Sequence, residues 1–116
     1  MGETLIYRPQ NWVIVKIIYN NEVNYKVFGG WRETFETGAS WKMNSGIAKF
    51  TESVEGGFYQ FFGFSGNIYE CQKSDYGMSY YMEEIYEYLE KELRYSGITA
   101  HMEILDNTNF LNLFSL

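Results

Sequence analysis

Three features of the sequence predict an α+β fold: a mostly antiparallel sheet of about six strands with one amphipathic helix packed on a face. Runs of β-branched and aromatic residues recur along the chain, separated by short turns rich in Gly and Asn. A single stretch, residues 79–95, carries apolar residues at helical spacing. The strand-like run 12–19 is apolar on both of its faces and therefore needs cover on both.

Taken in order, Trp12 to Tyr19 reads as a central strand, with Val13, Val15, Ile17 and Tyr19 on one face and Trp12, Ile14 and Ile18 on the other. Asn20-Asn21-Glu22 is a turn. Residues 23–28 return as the second arm of a hairpin, with Val23, Tyr25 and Val27 inward and Asn24 and Lys26 outward. Gly29-Gly30-Trp31 ends that hairpin, and residues 32–46, whose periodicity is weak, read as a long connection carrying Trp41. A second, meander-like group follows: Ile47 to Val54, Phe58 to Phe64 and Ile68 to Gln72, joined by Glu55-Gly56-Gly57 and Ser65-Gly66-Asn67. Turns this short force antiparallel neighbours.

The helix puts Met78, Met82, Ile85, Leu89 and Leu93 on one face. Ser79 is its expected N-cap and Gly97 its expected C-cap. After Gly97, Ile98, Ala100, Met102 and Ile104 alternate with polar residues, as in a half-buried edge strand. The tail from Asp106 to Leu116 is again apolar.

A chain of 116 residues is the length of one domain, 1–116, and its 46% hydrophobic and 20% aromatic content suits a packed core. Fifteen acidic against nine basic residues give a net charge of −6, which argues against direct nucleic-acid binding and against an anionic membrane surface. The start, Met1-Gly2-Glu3-Thr4-Leu5, has no basic segment ahead of an apolar run, so no signal peptide is expected. No apolar run is long enough to span a bilayer. With Cys71 as the one cysteine, no intrachain disulfide can form, and the expected location is a reducing cytoplasm.

Catalytic chemistry finds no motif. One His and one Cys are too few for an ordinary zinc site, and no local pattern joins His101 to Cys71 as base and nucleophile. Neither Gly29-Gly30 nor Gly56-Gly57 leads into a helix start and a Lys, so no phosphate loop is present. Glu83, Glu84 and Glu87 read as a solvated helix face. No enzyme activity, cofactor or metal is expected.

The informative stretch is Gly38 to Ile47, where Trp41, Lys42, Asn44 and Ser45 gather in a region of weak strand pattern. Trp31 and Arg32 are expected near it, and Tyr76, in the Asp75-Tyr76-Gly77 turn, is expected to contribute. Trp, Tyr and Arg are the usual anchors of protein interfaces, so these seven residues form the expected partner-binding surface. The plainer reading is that Trp31 and Trp41 plug the ends of the core and Asn44-Ser45-Gly46 is a turn.

The segments RPQNWVIVKI (Arg8–Ile17), YKVFGGW (Tyr25–Trp31), SWKMNSGI (Ser40–Ile47), FFGFSGNIYEC (Phe61–Cys71) and DYGM (Asp75–Met78) together resemble a group of small bacteriophage-encoded accessory proteins. Trp41 to Ile47 is the most specific piece. The resemblance implies a viral context, in the cytoplasm of a bacterial host cell, and transfers no site residue or cofactor. By analogy it implies a protein that binds and inhibits a bacterial host or defence protein, for instance a nuclease such as a CRISPR effector. An acidic surface would be steered towards a basic, nucleic-acid-handling partner. Two alternatives stand beside this expectation. One is a sink for a small ligand such as a nucleotide, with Lys42, Asn44 and Ser45 meeting its polar groups. The other is an assembly protein whose tail, Phe110 to Leu116, buries against a second copy as a homodimer.

Overall fold

The computed structural model describes residues 4–35, 37–96 and 99–106. The expected C-cap Gly97, Ile98 and the tail from 107 onward, with the homodimer it would make, lie outside the described residues. The elements are β1 (Ile6–Tyr7), β2 (Asn11–Tyr19), β3 (Glu22–Trp31), β4 (Ser40–Met43), β5 (Ile47–Glu52), β6 (Phe58–Gly63), β7 (Ile68–Gln72), α1 (Tyr80–Arg94) and β8 (Ala100–Ile104). The α+β class, with one helix on mostly antiparallel sheet, is as the sequence predicts.

The strands form two four-stranded sheets, ordered β4-β3-β2-β8 and β1-β7-β6-β5. Among the ladders of the described strands, only that of β1 with β7 is parallel. The β2 sheet is the middle layer. Trp12, Ile14 and Val27 on one of its faces meet Tyr59, Phe61, Tyr69 and Cys71 of the β6 sheet. On the other face, Val13, Val15 and Phe28 meet Met82, with Ile85, Leu89 and Leu93 of α1 packed around them. The two apolar faces of β2 are thus used by two different layers.

Local chemistry sets each turn. Asn20 and Asn21 both have positive φ, 51° and 65°, the backbone of a two-residue type I′ hairpin whose twist suits the flanking strands. Register then runs without a slip from Tyr19↔Glu22 to Asn11↔Gly30. Ser79 caps α1, its hydroxyl accepting from Met82 N at 3.2 Å. The β6 strand alternates half-buried and buried residues along its whole length, one face to the core.

Three expectations need correction. Gly29-Gly30-Trp31 does not end the hairpin but continues β3 in the ladder. The glycines are there for close packing: a Cβ on Gly29 would stand 2.8 Å from Pro9 Cβ, and one on Gly30 would stand 2.5 Å from Met82 Cγ. Val23 is 51% exposed and belongs to neither core cluster, so it does not face inward as expected. Residues 40–43 are not loop; they form β4 at the edge of the β2 sheet, from Phe28↔Met43 to Trp31↔Ser40. Their alternation is too short to register as a periodic signal.

The seating of α1 on a bare strand backbone predicts a coupled pair of substitutions. Gly30→Ala should lower stability by about 1–3 kcal/mol through overpacking against Met82. In Met82→Ala the same change should cost much less, since the clashing thioether is gone. Urea unfolding of the four proteins in this cycle measures the coupling. Equal costs in both backgrounds would refute the contact.

Candidate functional site

The site is built where the two sheets present neighbouring margins, β4 of one and β1 of the other. Among the described residues, β4 pairs with β3 on one side and has no strand on the other. Asn44 N donates to Val27 O at 3.0 Å, so by antiparallel alternation Lys42 and Ser40 also turn their backbone groups towards β3. Those of Trp41 and Met43 face the free edge.

A groove of about 490 Å³ runs along this edge. Trp31 closes one end, its Nε1 donating to Arg8 O at 3.1 Å and its ring meeting Tyr7 edge-on at 6.5 Å. Trp41 rests edge-on against the buried Phe28 at 5.8 Å and leaves its remaining surface to the groove. Lys42 reaches over the Tyr7 ring, its Nζ 5.1 Å from the centroid. Arg8 also lines the groove and is anchored through Nε to Glu70 Oε2 at 2.5 Å.

Beyond the end of β4 lies a second, more polar cleft of about 440 Å³, which shares Tyr7 and Lys42 with the first. Asn44 and Ser45 line it. Asn44 is only 6% exposed. Its side-chain Oδ1 accepts from Val27 N at 2.9 Å, taking the place its own carbonyl would have in the ladder. The main chain is thereby released to turn at Gly46, whose φ of +133° and contact with the Phe64 ring leave no room for a side chain. Ser45 Oγ accepts from Ser65 N at 2.9 Å and ties the turn to the β6–β7 hairpin. Tyr69 stands in the cleft wall, its phenol pushed up to about 12 chiefly by burial and further by Tyr7 and Cys71.

Of the seven residues expected to share a surface, Trp31, Trp41 and Lys42 meet in the groove, and Lys42, Asn44 and Ser45 meet in the cleft. Arg32 and Tyr76 are not among the residues lining either. Arg32 is exposed, its backbone N–H held by Gln10 Oε1 at 2.6 Å. Tyr76 belongs to the core: its ring meets Trp12 edge-on at 4.7 Å, and its hydroxyl accepts from Ile14 N at 3.1 Å and donates to Leu105 O at 2.5 Å. Sequence reasoning missed Tyr7 and Arg8, which belong to a two-residue strand and its flank, too short for any periodic pattern. It also missed Lys26, Ser65 and Tyr69, which reach the cleft from other strands and a turn.

Cys71 is fully buried, and burial pushes its thiol well up from the ordinary range. His101 is exposed on β8, its Nε2 3.2 Å from Glu103 Oε2. Among the described residues no three His, Cys, Asp or Glu side chains gather as a metal site, and no helix is long and apolar enough to cross a membrane. Compared with protein-family models, curated proteins and solved structures, the chain gives no match.

Two outcomes follow from this geometry. Asn44→Ala should cost about 1–3 kcal/mol, the penalty of leaving the buried Val27 N–H without an acceptor, and an unshifted urea midpoint would rule out that role. Because the fold holds the Tyr69 phenol in its neutral form, its stabilising contribution is complete below pH 10 and disappears as pH rises through about 12. Tyr69→Phe should therefore lose less stability than the parent protein across that alkaline window, as measured by thermal unfolding at stepped pH.

Proposed function

We propose that this chain is a non-enzymatic binding protein of the bacteriophage accessory type, which inhibits a bacterial host or defence protein by docking on it through the groove along β4. The observation that carries the reading is the convergence of Trp31, Trp41 and Lys42, from two strands, with Tyr7 and Arg8 beside a strand edge that is unpaired among the described residues. Rigid aromatics that are already partly buried lose little conformational freedom when a partner covers the rest. The outward backbone groups of Trp41 and Met43 can pair with an extended segment, as in strand addition.

Charge supports the reading at two ranges. The net charge of −6 steers the protein towards a basic, nucleic-acid-handling partner. The groove itself carries Lys42, which has no carboxylate partner among the described residues. The segment that enters the groove is therefore apolar with an acidic residue, whatever the partner's overall charge. Acting in the cytoplasm of the bacterial cell is part of the same proposal.

The test begins by identifying, by mass, the bacterial protein retained by the tagged chain, then measuring its affinity and its activity with purified components. Trp41→Ala should weaken binding by at least ~30-fold, as expected for an anchor worth about 2 kcal/mol, and should relieve inhibition to match. Unchanged affinity in a folded Trp41→Ala protein, or a partner that binds without losing activity, would overturn the proposal.

A further inference from the structure

The polar cleft beyond the end of β4 has a composition at odds with the rest of the chain. Fifteen acidic residues outnumber nine basic ones, yet among the described residues no Asp or Glu lines this cleft, and Lys26 and Lys42 both do. Neither lysine has a carboxylate partner among the described residues. Strand alternation puts Lys26 on the Phe28 face of the β2 sheet and Lys42 on the opposite face. They can share a cleft because it lies off the end of β4, where the chain leaves the sheet.

Neutral donors complete the lining. Ser45 Oγ already accepts from Ser65 N, so its own proton is left to give to another group. The Tyr69 phenol stays protonated far above neutrality and remains a donor. Asn44 supplies the most telling group. Its Oδ1 is fixed by Val27 N–H, which sets the orientation of the amide. Its Nδ2 is buried and has no hydrogen-bond acceptor. A buried donor of this kind costs free energy unless an acceptor is supplied. Gly63 packs closely against this group: a Cβ on it would lie 3.2 Å from Ser45 Oγ, 3.4 Å from Asn67 O and 3.6 Å from Asn44 Nδ2.

Ammonium groups, hydroxyls and an amide donor without an opposing carboxylate suit an oxyanion with several acceptor oxygens. The volume of about 440 Å³ exceeds what a bare phosphate fills and leaves room for an organic group against Tyr69. We propose that this cleft binds a small organic phosphate, with Lys42 and Lys26 meeting its charge and Asn44 and Ser45 donating to its oxygens. The site stands on its own lining and does not depend on a protein partner.

The test uses the full-length ¹⁵N-labelled protein, titrated first with inorganic phosphate and then with adenosine 5′-monophosphate as probes. Saturable shifts are expected at the Asn44 side-chain amide and the Ser45 and Ser65 backbone amides. Lys42 is exposed, so Lys42→Ala keeps the fold. It should weaken both probes by about tenfold, the loss of one charge-assisted hydrogen bond. Lys49→Ala, whose ammonium lies over Phe62 outside the cleft, should leave them unchanged. Tighter binding of the nucleotide than of inorganic phosphate supports an organic phosphate; equal affinity overturns that part. Shifts that do not saturate, an unmoved Asn44 amide, or equal losses in the two lysine variants would overturn the site. Trp41 does not line the cleft, so Trp41→Ala should leave the phosphate titration intact even where it abolishes partner binding.

Discussion

Everything in this fold is arranged around a strand that cannot be left wet on either side. Four consecutive residues of β2, Trp12 to Val15, are no more than 2% exposed. Each fully buried apolar side chain of this size contributes about 1.5–3 kcal/mol, and alternation sends half of that gain to each face. A single covering layer would forfeit the other half. The helix meets one face through Met82 and the β6 sheet meets the other through Phe61 and Tyr69. The sheet that contains β2 is therefore interior, and its margins are the places where function can be mounted without opening the core.

The chain must cross from the outer sheet to the helix side, and it does so beside Trp12. After β7 a 3-10 turn, Lys73–Asp75, leads to Tyr76, which makes a parallel bridge with Trp12. Gly77 N then donates to Trp12 O at 2.8 Å, and α1 begins three residues later. The Tyr76 hydroxyl occupies a gap in the ladder. β8 pairs with β2 only from Val15 to Tyr19, so Ile14 N–H has no strand partner there, and Tyr76 accepts it while donating to Leu105 O. A polar atom of an aromatic residue thus completes backbone pairing at the junction of three segments. That explains why a tyrosine expected at a binding surface is found inside.

Much of this plan was legible in the sequence because it rests on periodicity and turn chemistry. The two-faced β2, the Asn20-Asn21 turn, the three-strand meander and the capped helix all announce themselves through local rules that the tertiary structure obeys. The division of the strands into two sheets was legible only as two groups, since Asn44 and Gly46 act through a side-chain substitute for a ladder bond and a positive φ. Neither leaves a periodic trace. Gly29-Gly30 misled for a physical reason: glycine marks a turn and a close approach with the same letter, and here the approach of Pro9 and Met82 decides. The candidate site was half legible. Trp31, Trp41, Lys42, Asn44 and Ser45 stand out by type, whereas Tyr7 and Arg8 are brought in by a parallel pairing over more than sixty residues that no local rule predicts.

Lys42 holds the groove and the cleft together. Its ammonium over the Tyr7 ring is the shared wall between an aromatic trough on one side and a polar pocket on the other. The contact also links the two sheets, because Lys42 belongs to β4 and Tyr7 to β1. A surface cation–π pair of this kind is worth only about 0.5–1 kcal/mol, so it places the lysine without locking it. An edge strand with a free cation and outward backbone groups is a liability in isolation, since it invites unwanted strand pairing. The four-residue length of β4 keeps that edge short. What remains is a short edge flanked by Trp31 and Trp41.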